Sequence, residues 1–574
     1  MRSFLLSCLL LVSITTKAQY FFKTVPLISL GVNQTVINSN NALQLKNGQY
    51  ILGRHNQRTV YANVGPGGST MAVDIFTNGL VKFDGFGNQI YAYASRVSPN
   101  ATCNAGDEPD DHESCKQTEL RDGTILSVSN FRNFNLLRVD AYLYGFSLVK
   151  SDPATGNAIN AVVIDFDCDY TNRTTICNDI KEDNLGNIYL TGYTKEYNAK
   201  KKCFIIKLNK NLSRLWSVVY ANNDGDIEGK SICLDPTNNS VYIGGNYIDP
   251  KNNSEAMIIS ANTRYGKLNW AQIFGGIKQD NLSSLQLSLA DGLTFLGSSR
   301  SFGFNNNRSD FWFTRIDYNG NLISSITYGG DNDDDGVDFI WNPFSRLYIL
   351  AGHTQNSGYG GSDMQLMWVN SAGNIKEGKL YGSSGDEYLS SLGLTSDNGL
   401  LFWGNSGTST GHLYKTDFNG VLPKTFCGSK KNTPVQKQAN PRVAALSLTD
   451  IALMPVVRSA YTIKNANTVA DNTVCLNSTI TSTRSVNAVI SESSDNTRLI
   501  LVKIVSANKY VISSNSSSKI TNYQVFSSNG QLIQSSNVQN TSTVTIDLSN
   551  CRPGVYLLKC TVGENGETFK LRVQ

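Results

Sequence analysis

A short phrase returns seven times in this chain, and its spacing restricts the folds open to it. The phrase is a turn with Gly, Asn or Asp, an apolar strand, and then Gly or Ser. It occurs as KNGQYILG (46–53), RDGTILSV (121–128), LGNIYLTG (185–192), NNSVYIGG (238–245), ADGLTFLG (290–297), FSRLYILAG (344–352) and DNGLLFWG (397–404). Anchored on Ile51, Ile125, Ile188, Val241, Leu293, Leu347 and Leu400, the steps are 74, 63, 53, 52, 54 and 53 residues. A steady period of this size marks a repeat architecture, in which each unit buries its apolar surface on its neighbours. The two longer steps hold Cys103, Cys115 and the acidic stretch GDEPDDHES (106–114). Such insertions are expected as loops on one face of the repeat array.

Each phrase is followed by a second: an apolar strand, a polar turn and another strand, as in FWFTRIDYNGNLISSITYGG (311–330) and MQLMWVNSAGNIKEGKLYGS (364–383). With one strand before the Gly turn, a unit holds four short strands. Asn and Gly suit the hairpin turns because they tolerate positive φ. Four strands per ~50 residues, seven times over, predict an all-β chain built on a seven-bladed β-propeller. Runs such as FWF lack polar alternation, as strands buried on both faces do. A string of immunoglobulin-type sandwiches is excluded, since each needs ~100 residues. The pattern D-x-F-x-x-x-x-D-x-x-G-N … Y-G-G … D, clearest from Asp310 to Gly330 and from Tyr381 to Asp386, resembles the β-propeller repeats of exported bacterial proteins. The resemblance covers about residues 40–426 and implies architecture rather than activity.

Composition fits this reading. Charged residues make up 17% of 574, below the usual ~25%, so uncharged polar turns must supply the surface. A net charge of +4 is too small and too dispersed to indicate nucleic acid as a partner. Residues 1–18 (MRSFLLSCLLLVSITTKA) read as a signal peptide cleaved near Ala18/Gln19, with Arg2 before a short apolar run. That run is too short to cross a ~30 Å hydrocarbon core, and no other segment reads as a transmembrane helix. A lipoprotein box at Leu5-Leu6-Ser7-Cys8 is the competing reading. Without Cys8, ten cysteines remain, an even number in an exported chain, which suggests disulfides. The candidate pairs are Cys103–Cys115, Cys168–Cys177 and Cys427–Cys475. Cys551 and Cys560 flank GVYLLK, which reads as a strand too extended for them to pair. There is no CxxC and no Cys/His cluster to suggest zinc.

After residue 427 the texture changes. Residues 428–498 form a Ser/Thr/Asn-rich, β-type spacer without the 53-residue period, and 499–574 read as a small Ig-like β-sandwich. There, Y-x-V-x-x-x-x-G-Q-L-I with Asn529 and Gly530 at its turn, I-D-L-S, G-V-Y-L-L-K with Gly554 and Tyr556, and the terminal K-L-R-V resemble the type A C-terminal sorting domain of the type IX secretion system of Bacteroidetes. The usual early PNP phrase is absent, and Ser506-Ala507-Asn508 stands near its place. The resemblance implies a type IX translocon as partner, secretion or attachment at the outer surface, and a tail that is removed or retained.

Signals for chemistry are sparse. None of His55, His112, His353 and His412 lies in a metalloprotease or nucleophile phrase. Asp331, Asp333 and Asp335, followed by Gly336, match the first half of a calcium loop, but Asn342 stands where its bidentate Glu belongs. The other reading is that such acids, like Asp226, Asp280 and Asp386 in equivalent turns, cap backbone N–H groups. Calcium is therefore the one cofactor the sequence raises. Trp270, Trp312, Trp341, Trp368 and Trp403 could stack on sugars, though strand positions favour core packing. Two function classes follow. The first is a non-enzymatic propeller binding a surface glycan or protein through its longer loops. The second is a carbohydrate-active hydrolase or lyase with paired acids at the channel mouth. No catalytic residue is nominated.

Overall fold

The computed structural model describes residues 21–26, 41–63, 70–99, 109–134, 142–166, 173–237, 239–288, 292–305, 307–356, 360–406, 410–422, 430–431, 434–451, 456–466, 472–476, 500–506, 509–514, 519–527, 532–548, 554–562 and 565–573. The expected signal peptide, Cys103, Cys168, Cys427, Asn529 and Gly530 lie outside these residues. Among the described residues every regular element is a β-strand, and every pairing is antiparallel. The chain divides into two compact units, Met1–Asn477 and Ser478–Gln574.

Among the described residues of the first unit the repeat appears as seven four-strand antiparallel sets, six of them successive meanders. Their inner strands are Asn41–Gln44, Pro109–Glu119, Thr174–Glu182, Asp226–Leu234, Asp280–Ser288, Asp334–Asn342 and Glu387–Leu394. Six of the seven sequence anchors are buried on the adjoining second strands, with Ile51, Ile125, Val241, Leu293 and Leu400 fully inaccessible. Strands such as Asp310–Ile316 are buried on both faces, because a neighbouring sheet covers each side.

The sequence phrases have specific causes. Inner strands carry a bulge, for instance between Leu282 and Ser284, which drives a carbonyl against the second strand. A Cβ on Gly297 would stand 1.8 Å from the Asn281 oxygen, and one on Gly245 1.9 Å from that of Glu228. The terminal Gly of the phrase is the residue that fits there. In the D-x-x-G-N turns the Asp is internal glue: Asp317 Oδ1 accepts the N–H groups of Asn319 (2.9 Å) and Asn321 (2.8 Å), while Gly320 takes φ +87°. The Tyr near the end of the fourth strand, that of Y-G-G at Tyr328, joins one meander to the next. The hydroxyls of Tyr220, Tyr328 and Tyr381 donate to the carbonyls of Gly266, Gly373 and Gly420 in the following turn. Tyr328→Phe would leave the Gly373 carbonyl buried and unpaired, and should lower unfolding stability by about 1–3 kcal/mol in urea titration.

Three expectations change. The acidic stretch 106–114 is not wholly a loop, since Pro109–Glu119 is a strand paired with Ile125–Phe134. Strands in the first two meanders are lengthened, Tyr50–Asn63 and Thr70–Phe83 reaching 14 residues each, because the extra residues extend hairpins. The seventh meander takes its fourth strand not from the residues after Thr416 but from Phe21–Pro26, which pairs with Thr410–Thr416. The spacer, finally, is a strap. Lys430–Lys431, Val435–Gln438, Arg442–Ala445 and Thr449–Ile451 add outer strands to the sixth, fifth, fourth and third sheets in turn. Val456–Ala466 then bridges the second and first sheets into one of nine strands, and Asn472–Leu476 pairs with Phe21–Pro26 in the seventh. The strap runs back along the array in seven-residue steps: Gln436, Val443, Asp450 and Val457 face Tyr328, Phe274, Tyr220 and Ile164. Seven extended residues reach about 23 Å, and one such step carries the strap from one sheet edge to the next.

The second unit has a three-stranded sheet (Ile500–Ser506, Lys509–Ser514, Thr543–Asp547) and a four-stranded one (Leu532–Thr541, Ile520–Ser527, Gly554–Val562, Asn565–Val573). Both contribute to one core that includes Ile512, Val525, Ile546 and Leu558. Gly554–Val562 confirms that GVYLLK is extended; Gly554 and Tyr556 face Val573 and Leu571.

Candidate functional site

All seven inner strands contribute to one cavity of about 600 Å³. Its wall is mostly amide and hydroxyl side chains, with Lys116, Lys181 and Lys230 opposed by Asp179 and Asp338. In the third, fourth, sixth and seventh sheets the residue after the bulge reaches for the next inner strand. Asp179 Oδ2 accepts the N–H of Ile232 (2.9 Å), Ser231 Oγ that of Leu285 (3.1 Å), Asp338 Oδ2 that of Leu392 (3.2 Å) and Ser391 Oγ that of Ala42 (3.1 Å). Ser and Asp thus perform one task at equivalent positions: each accepts a backbone N–H of the neighbouring inner strand. The inner strand of the first meander is bonded on both sides, to Ser391 of the seventh and, through Asn41 Nδ2, to the Gln117 carbonyl of the second (2.6 Å).

The electrostatics follow from this stapling. Asp179 is nearly inaccessible and its Oδ1 lies 2.7 Å from Lys116 Nζ. Burial pushes its carboxyl up, but Lys116 and Lys181 outweigh burial and hold it below its ordinary value. Burial likewise opposes the charge on Lys116, yet Asp179 holds the ammonium above its ordinary value. Asp338 is raised, chiefly by burial, while accepting from Ser284 Oγ and Phe339 N–H, both at 2.9 Å. Two carboxyls pushed apart in one cavity invite an acid–base reading. Their oxygens are already engaged with backbone and hydroxyl donors, however, and the recurrence of Ser at the same position marks a structural duty. Lys181 is exposed and lines the cavity.

The nominated calcium acids are not brought together. Asp333 binds Arg308 Nη1 (2.8 Å) and accepts the Ser309 N–H (2.9 Å), whereas Asp335 Oδ2 lies 3.5 Å from His353 Nε2. Asp331 contributes its backbone carbonyl to Asn305. A strand begins at Asp334, so successive side chains diverge instead of converging as in a calcium loop. Among the described residues no three His, Cys, Asp or Glu side chains gather to hold a metal. The capping alternative describes Asp333, and also Asp226 and Asp386, which accept the N–H groups of Lys201 (2.9 Å) and Ser362 (2.8 Å).

Of the disulfide candidates, Cys177 is a buried free thiol, as are Cys203 and Cys233 among the described residues. Burial raises these three thiols, Cys203 to about 12. Cys115 lies in an inner strand opposite Ser129, and Cys475 faces Phe22. Trp312, Trp368 and Trp403 are core residues. The sequence reading missed the Ser/Asp staples, although a polar residue recurring every 53 or 54 residues (Ser231, Ser284, Asp338, Ser391) was the available signal.

A family model, the secretion system C-terminal sorting domain, matches residues 506–574. No curated protein matches the chain. Among solved structures, the chain is similar to the extracellular domain of a putative hybrid two-component system from B. thetaiotaomicron at 10% identity, covering 96% of this chain and 100% of that one. The TM-score of 0.16 is too low to carry an argument. Among the described residues no helix is long and apolar enough to cross a membrane. The chain carries a sorting tail that directs it to the cell surface or to secretion through a secretion system.

Proposed function

We propose that this chain is a secreted or surface-held seven-bladed β-propeller that binds a glycan or protein ligand and does not transform it. It would be exported through the type IX system by an Ig-like C-terminal sorting domain, after removal of residues 1–18. Support for the propeller comes from side-chain hydrogen bonds and one ion pair that link each inner strand to the next and the seventh to the first. The insertion of Phe21–Pro26 into the seventh sheet adds to it. The observation that carries the binding reading is the polar cavity in which both lining carboxylates are spent on neighbouring strands. Hydroxyls, amides and lysines then remain to meet a ligand, in keeping with sites that orient rather than react.

The test is a glycan array probed with the purified full chain, followed by product analysis on every glycan retained. Binding without released sugar is expected, and Lys181→Gln should weaken it severalfold by removing an exposed cavity cation. Release of sugars that is lost in Asp338→Asn would replace this reading with a hydrolase or lyase.

A further inference from the structure

We infer that residues 430–476 are a clasp that keeps the tail bound to the ring by strand addition, so that the peptide joining ring to strap is dispensable once the chain has folded. A spacer that merely linked two bodies would have no reason to contact the ring at regular intervals. This one adds outer strands to sheet after sheet at a stride of seven residues, and it finishes against the N-terminal strand Phe21–Pro26.

Side chains fix the register that backbone pairing alone would leave loose. Ala439 and Leu446, seven residues apart, turn inward between strap strands and are buried in successive seams. Their N–H groups donate to the carbonyls of Ser325 and Ala271, both at 2.9 Å. Arg442 reaches the buried Glu255 (2.6 Å), Lys437 donates to the Gly303 carbonyl (2.8 Å), and Asn222 donates to that of Ser447 (2.9 Å). Each strap strand is only two to four residues long through the third sheet and would bind weakly alone. Tethered in series, each contact raises the effective concentration of the next, and the whole holds far more tightly than any part.

The consequence concerns how cargo and address stay together. Cleavage anywhere between Leu422 and Lys430 would leave the ring gripping the strap and, through it, the covalently attached sorting domain. A single cut that parts them must fall beyond Leu476.

The test uses the full chain with a protease recognition sequence inserted between Leu422 and Lys430, cut after folding. The two fragments should co-elute in size exclusion and part only in denaturant, with more than nine-tenths still associated after a day. Ala439→Asp with Leu446→Asp in the same cut chain should speed dissociation at least tenfold. In the uncut, unmodified chain, hydrogen exchange should show the Ala439 and Leu446 amides strongly protected. Release of the 430–574 fragment in native buffer, or unprotected amides at those two positions, would overturn the proposal.

Discussion

Asp334→Asn is expected to make the protein more stable at pH 8 and to flatten its dependence on pH. Asp334 opens the sixth inner strand and is 1% exposed. Its carboxyl is pushed up to about 8, mainly by burial and further by the charge of Asp310, itself raised to about 6. One oxygen of each acid falls within 2.6 Å of the point a Cβ on Gly329 would occupy. The two are therefore no more than about 5 Å apart, close enough for like charges to repel strongly. Asp310 Oδ2 accepts the Phe304 N–H (2.8 Å), and a proton held on Asp334 would relieve the repulsion between the two acids.

The sign follows from linkage. A carboxyl whose folded pKa is raised keeps its proton in the native state after the unfolded chain has lost its own. The native state is then favoured below the ordinary carboxylate value and loses that advantage as pH climbs toward 8, by up to about 1.4 kcal/mol per pH unit. Asn carries no titrating proton, and its amide can donate to Asp310. Between pH 5 and pH 8 the melting temperature of the parent should fall by on the order of 5 °C more than that of the variant. Equal falls, measured by calorimetry in matched ionic strength, would show that Asp334 is ionised throughout.

Gly297→Ala should be a severely damaging single-methyl change, as at the equivalent Gly192 and Gly245. The added Cβ would meet the Asn281 carbonyl oxygen at 1.8 Å, and the atoms it meets are backbone on a bulged inner strand that is stapled to its neighbours. Nothing can swing aside, so the sheet must open, at a cost of more than about 3 kcal/mol. Gly48→Ala is the control. Gly48 has φ +82° but no atom within 4 Å of a new Cβ, leaving only the ~1–2 kcal/mol of a left-handed residue. Chemical denaturation should separate the two clearly. A Gly297→Ala variant as stable as Gly48→Ala would mean that the bulge is not fixed in the folded protein.

Much of this fold was legible because its devices are local. The D-x-x-G-N turn contains both the carboxylate and the N–H groups it caps, so Asp317 and Asn321 could be read together. The recurring Gly, the seven-fold period and the apolar runs reported four-strand units with both faces covered. Sequence left two readings open where an acid had partners far along the chain. Asp333 could be read as a calcium ligand or as a cap, and it meets Arg308 and Ser309, some 24 residues earlier. The cavity wall was illegible for a related reason: Asp179 meets Ile232 and Asp338 meets Leu392 across more than 50 residues, and each looks like an ordinary strand position by itself.

The strap divides the two kinds of information most sharply. Its heptad of Ala439 and Leu446 is written in residues 430–457, but a seven-residue step in an extended segment names no partner. Strand addition is recognition by backbone, which every residue but proline carries, so the sequence can specify that a segment is extended without specifying the edge it will join. By itself the sequence determined the unit, the turn chemistry and the address at the C-terminus, all of which depend on contacts within about fifty residues. Only the tertiary structure decided which strand completes the seventh sheet, where the spacer runs and which carboxylates are free to act. Those outcomes depend on edges and donors that exist only once the units stand side by side.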